Sequence, residues 1–163
     1  MPRGCLCSRV CCGGYLIMNI LVIDAQGGGI GKQLVAAIKS SFTDAEVTAV
    51  GTNSAATAAM LKAGADNAAT GENAVAVGCR KADVIVGPIG IVIADSLLGE
   101  ITPSMAVAVG RSKAVKILIP INRCDNIVVG VSNLSVGKLI QNVIEKIGEL
   151  PRQPWPARLD KSP

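Results

Sequence analysis

One stretch of the chain concentrates residues with chemical use: Asp24, then Gly27-Gly28-Gly29-Ile30-Gly31 and Lys32. Backbone amides in a glycine run can converge on one point, and a helix beginning there adds roughly half a positive charge. A phosphate is the natural occupant. The competing reading is a tight strand-to-helix turn whose glycines serve close packing alone. Lys32 either contacts that phosphate or is an exposed lysine of the first turn. Further on, Asn122-Arg123-Cys124-Asp125 bring together one cation and one thiol. Arg123 would lower the pKa of Cys124, which makes Cys124 a candidate nucleophile. Asp24 is the other catalytic candidate. The plainer reading of Cys124 is a buried structural cysteine.

Composition limits what these residues can do. The chain has no His, so Ser–His and Cys–His pairs and imidazole metal ligands are excluded. Acid–base chemistry is left to Asp, Glu, Lys or Cys. Cys5, Cys7, Cys11 and Cys12 cluster near the N-terminus, but their spacing matches no common zinc knuckle, so no metal site is expected. The net charge of +4 resides in the ends, because residues 18–150 carry eleven basic and eleven acidic side chains. With 2% aromatic residues and a neutral centre, nucleic-acid binding is not expected. Apolar runs are interrupted well short of the roughly 18 to 20 residues that span a bilayer, so no membrane association is expected and the location reads as cytoplasmic.

The elements that must hold these residues follow from period and punctuation. Ile20–Asp24 reads as a first strand, and Ile30, Leu34, Ile38 and Phe42 stack at helical spacing after the glycines. Glu46–Gly51 is a second strand. A helix capped by Asn53 and stopped by Gly64 comes next, then a short strand near Asn67–Ala69 and a helix near Glu72–Arg80. Asp83–Gly87 is a continuous apolar run of the kind covered on both faces. Thr102-Pro103 marks a helix start, running to about Ser112. Val115–Pro120 and Ile127–Val131 read as further strands, and the last helix spans about Leu134–Glu149. Ile89–Glu100 has no period; its Asp95 and Glu100 read as a solvated loop rather than a catalytic pair.

Alternating strands and helices imply an α/β fold. It is a doubly wound, mainly parallel, Rossmann-like three-layer sheet of five to six strands. The leading order is 3-2-1-4-5, with a flavodoxin-like 2-1-3-4-5 as the competitor. Residues 18–150 form the domain. Residues 1–17 read as a leader or disordered extension ahead of Met18, and 151–163 as a Pro-rich disordered tail. A mean hydropathy of +0.47 on a neutral domain points to a homo-oligomer.

Ligands of such sheets bind beyond the carboxyl ends of the strands, where the order reverses. There the sequence places Gly27 to Lys32, then Thr52 and Asn53, then Gly87, Pro88 and Gly90, then Asn122 and Arg123. Asn53 reads as a helix cap or a ligand contact. The cofactor expected is NAD or NADP, with another nucleotide as the alternative. Thr52-Asn53 supplies neither the acid typical of NAD sites nor the arginine of NADP sites.

Three known loops resemble Gly27–Lys32 in part. A dinucleotide fingerprint would need Gly at Gln26. The short-chain dehydrogenase loop matches Gly29-Ile30-Gly31, but that family's Tyr-x3-Lys pair is missing. The ParA-like ATPase loop matches Gly28 to Lys32, with Gln33 in place of the Mg²⁺-binding hydroxyl. Taken together, Asp24-Ala25-Gln26-Gly27-Gly28-Gly29-Ile30-Gly31 and Asn122-Arg123-Cys124 resemble a bacterial family of unknown function, from about Met18 to the last helix. That family carries Gly where this chain has Ala25. The resemblance implies no activity. The function expected is binding or sensing of a phosphate-bearing ligand. The alternatives are a small-metabolite enzyme using Cys124 or Asp24, and a non-catalytic regulatory subunit.

Overall fold

The structure, a computed structural model, describes residues 17–121, 126–131 and 134–151. Strands and helices alternate in the order β1 Asn19–Asp24, α1 Gly29–Ser41, β2 Glu46–Gly51, α2 Ser54–Lys62, β3 Asn67–Thr70, α3 Glu72–Lys81 and β4 Val84–Pro88. A 3₁₀ turn at Ile89–Val92 follows, then α4 Pro103–Arg111, β5 Val115–Ile119 and α5 Val136–Gly148. The five strands are all parallel, in the order β3-β2-β1-β4-β5. This is the expected doubly wound, Rossmann-like α/β arrangement. The order reverses between β1 and β4, which puts the carboxyl ends of β1, β2 and β4 side by side.

Two apolar layers sandwich the sheet. Leu34, Val35 and Ile38 of α1, Met60 of α2, and Ile140, Val143 and Ile147 of α5 pack on Ile20, Val22, Val47, Val84 and Val86. On the other face, Val75 and Cys79 of α3 and Met105 and Val109 of α4 cover Leu21, Ile23, Val50 and Ile85. Successive strand residues thus alternate between two cores. That double cover is why β1 and β4 are apolar at nearly every position.

Local signals account for most of the helix starts. Asn53 Oδ1 accepts from the Ala56 amide at 2.9 Å, and Thr102 Oγ1 accepts from Met105 at 3.1 Å with Pro103 in the first turn. The strand expected at Ile127–Val131 does not form among the described residues. Residues 126–131 run irregularly, and Ile127 and Val129 stand 86% and 93% exposed. Gly130, at φ 85°, turns the backbone out of the extended region.

Gly31 provides a direct test of this packing. A Cβ there would lie 2.5 Å from Met60 Sδ and 2.7 Å from Asp24 Cβ, whereas one on Gly29 would meet nothing within 4 Å. Gly31→Ala should cost about 1–3 kcal/mol in chemical denaturation, and Gly29→Ala should leave stability unchanged or slightly raised. Equal effects of the two would contradict the packing described.

Candidate functional site

The glycine loop divides into two faces. Gly28 and Gly31 are buried; Gly27 and Gly29 are exposed. Gly28 has φ 66° and sits against α2, where a Cβ would come within 2.7 Å of Ala56 Cα. Gly31 packs on Met60 and Asp24. Gly31, expected with the rest of the loop at the ligand site, therefore lies inside the fold. Gly27 and Gly29 alone present open backbone. Neither amide makes a hydrogen bond to a described residue.

The inner end of α1 already holds an anion, and it is the protein's own. Asp24, 4% exposed, accepts from the Ala25 amide at 2.8 Å and the Gly31 amide at 2.6 Å, with the Ile30 amide also bonded to it. Burial pushes its carboxyl above the usual range. The three amides pull it back, and the nearby Glu100 charge adds to the rise. Facing inward and engaged on both oxygens, Asp24 is a positioning group. The catalytic candidate Asp24 is thus placed beneath the loop, with both oxygens accepting backbone amides.

The acid that does reach the crevice comes from the stretch without a period. Glu100 Oε2 accepts from the Gln26 amide at 2.9 Å, from Asn53 Nδ2 at 2.9 Å and from the Thr52 hydroxyl. Asn53 Nδ2 also donates to the Gln26 carbonyl at 2.9 Å, tying the β1 and β2 loops together. Burial works against the Glu100 charge, but the bonds from Thr52, Gln26 and Asn53 outweigh it and hold the carboxyl below its usual range. Oε1 makes no hydrogen bond to a described residue. Glu100 thus lies in a loop, as expected, but its side chain is tied to three donors from the β1 and β2 loops.

The loop that delivers Glu100 is strained. Asp95, Leu97 and Leu98 have φ of 60°, 56° and 61°, and Gly99 follows at 81°. Left-handed non-glycine residues cost of order 1 kcal/mol or more each, and persist where the surroundings fix them. Here the anchors are visible: Ser96 Oγ donates to the Gly90 carbonyl at 2.6 Å, and Leu97 and Ile101 are buried.

The other expected residues divide sharply. Thr52 and Asn53 join the crevice, through Glu100. Gly87, Pro88 and Gly90, expected at the ligand site, are buried at the end of β4 and in the turn that follows it. Lys32 is exposed and lines the groove between α1 and α2, and Gln33 Nε2 folds back on the Gly29 carbonyl at 2.9 Å. Asn122, Arg123 and Cys124 lie outside the described residues. Among the described residues no three His, Cys, Asp or Glu converge to hold a metal ion, and no helix is long and apolar enough to cross a membrane.

The family model for the Domain of unknown function (DUF3842) matches residues 19–152. The chain belongs to this family. The matched span begins with β1 and runs past the end of α5, so it takes in the glycine loop and the Glu100 loop. No curated protein and no solved structure matches the chain.

The Glu100 contacts carry a pH signature. A carboxyl held lower in the folded state than its ordinary 4.5 stabilises fully above that value and loses the contribution as pH falls through the lowered one. The melting-temperature gap between wild type and Glu100→Gln should therefore narrow from about pH 6 to about pH 3. A gap constant across that range would show that the three hydrogen bonds do not favour the charged form.

Proposed function

We propose that this domain binds a nucleotide at the carboxyl edge of its sheet, with NAD the favoured ligand, and acts as a binding or sensing protein. The single observation that supports this reading most is Glu100, fixed by three donors beside the exposed amides of Gly27 and Gly29, with Oε1 left to accept. NAD-binding folds of this order place an acid near the end of β2 to take the ribose hydroxyls. Here β2 ends in the neutral pair Thr52-Asn53, and the acid is supplied from the β4–α4 loop. The pyrophosphate then lies on Gly27 and Gly29 at the start of α1, and Arg123 is the cation that the sequence places after β5.

Charge selects among nucleotides. Asp24 beneath the loop and Glu100 beside it both disfavour a highly charged ligand. NAD, whose pyrophosphate is partly offset by its own pyridinium, suits that setting better than ATP. A ribose 2′-phosphate next to Glu100 would meet like-charge repulsion, which disfavours NADP. The same proposal includes self-association, supported by the half-buried edge strand β5 and the exposed Ile127 and Val129. Light scattering on a sized column should then give a dimer or larger, and a monomer at micromolar concentration would remove that part.

Calorimetry against NAD, NADP, ATP, GTP and coenzyme A tests the reading. NAD should bind at least about tenfold more tightly than NADP, a difference of roughly 1.4 kcal/mol. Glu100→Gln should weaken NAD by about 1.5–3 kcal/mol, the range for a hydrogen bond to a charged group, and should shrink the preference over NADP. Binding of none of the five, or equal binding of NAD and NADP, would overturn it.

A further inference from the structure

The opposite, amino-terminal edge of the sheet carries a second concavity. A cavity of about 480 Å³ lies between the C-terminal ends of α3 and α4, where the chain turns into β4 and β5. That volume is within the range of small-molecule sites. Its floor is built of small side chains, among them Ala76, Ala108 and Ala114, which keep it open. Its walls carry Arg80, Lys81, Arg111 and Lys113, against a single acid, Asp83. Asp83 is already engaged, accepting from the Asn19 amide at 2.9 Å and from Asn19 Nδ2 at 3.1 Å. None of the four cations forms an ion pair with a described residue.

Helix ends explain part of this charge and leave a surplus. Each helix C-terminus carries roughly half a negative charge, so one cation would offset the two helices together. Four are present. Lys116 adds a fifth nearby, donating to the carbonyl of Ser112, the C-cap of α4, at 2.6 Å and to that of Ala114 at 3.2 Å. The turns are braced: Ser112 Oγ donates to the Cys79 carbonyl at 2.7 Å and accepts from the Ala114 amide at 3.2 Å. Burial pushes the Cys79 thiol up to about 11, against the pull of Lys116 and Arg80, so the thiol stays neutral and does not compete as an anion. Residues 18–150 are neutral as a whole, so this cleft is a local excess of positive charge.

We infer that the cleft between α3 and α4 is a second binding site, taking a small polyanion of the di- or triphosphate class on Arg80, Lys81, Arg111 and Lys113. Two arginines offer paired donors to phosphate oxygens, and the two lysines supply compact charge. The site is independent of the glycine loop, which lies at the other edge of the sheet.

Calorimetry of the full chain with inorganic tripolyphosphate tests it, with orthophosphate as the comparison. Tripolyphosphate should bind at least about tenfold more tightly than orthophosphate, and weaken as salt rises. The exposed pair Arg80→Gln/Arg111→Gln should lose about tenfold or more of that affinity at an unchanged melting temperature, and Arg80→Lys/Arg111→Lys should lose less. Gly29→Asp, which sets an anion on the glycine loop, should leave it unaltered. Absence of tripolyphosphate binding near 0.15 M salt, undiminished binding by the Gln pair, or its loss in Gly29→Asp would each overturn the inference. The Gly29→Asp outcome concerns tripolyphosphate alone and leaves the NAD comparison to be decided separately.

Discussion

The geometry of the carboxyl edge rests on one buried carboxylate. Asp24 ends β1 and turns back to accept the amides of Ala25, Ile30 and Gly31, so the strand and the first turn of α1 are fastened by a charge held at a helix N-terminus. A buried acid without those donors would be costly. With them it fixes which amides of the loop point in and which point out. Gly31 must lack a side chain because Asp24 and Met60 fill its surroundings, and Gly28 must lack one because α2 passes beside it. What remains facing solvent is Gly27 and Gly29.

Glu100 completes the arrangement from a distance. Its three bonds join β1's loop, β2's loop and the stretch before α4, so the crevice is braced across the point where strand order reverses. The left-handed turn at Asp95–Gly99 is the cost of delivering that side chain, and the buried Leu97 and Ile101 hold the turn in place. At the opposite edge Arg80, Lys81, Arg111 and Lys113 line a cleft, within a domain of no net charge.

The alternation of strands and helices, and with it the fold class, was legible because its signals are local. The apolar run of β4, the Asn53 cap and the Thr102-Pro103 start each declare themselves within a few residues. Glu100 was not legible. Its partners are 74, 48 and 47 residues away, and no periodicity within Ile89–Glu100 betrays them. The glycine run was visible as a loop, but its division into two faces depends on Met60 and Ala56 of α2, which only the tertiary packing brings there. Ile127–Val131 misled for the opposite reason: β-branched residues favour a strand, yet Gly130 turns the chain.

Amide exchange and chemical-shift changes followed residue by residue on the loop address the central claim most directly. Because Asp24 occupies the inner amides, Ile30 and Gly31 should exchange slowly in the free protein while Gly27 and Gly29 exchange fast. Addition of NAD should shift and protect Gly27 and Gly29 and leave Ile30 and Gly31 nearly unmoved. Fast exchange at Gly31, or NAD-induced change at Ile30 and Gly31 in place of Gly27 and Gly29, would contradict the account.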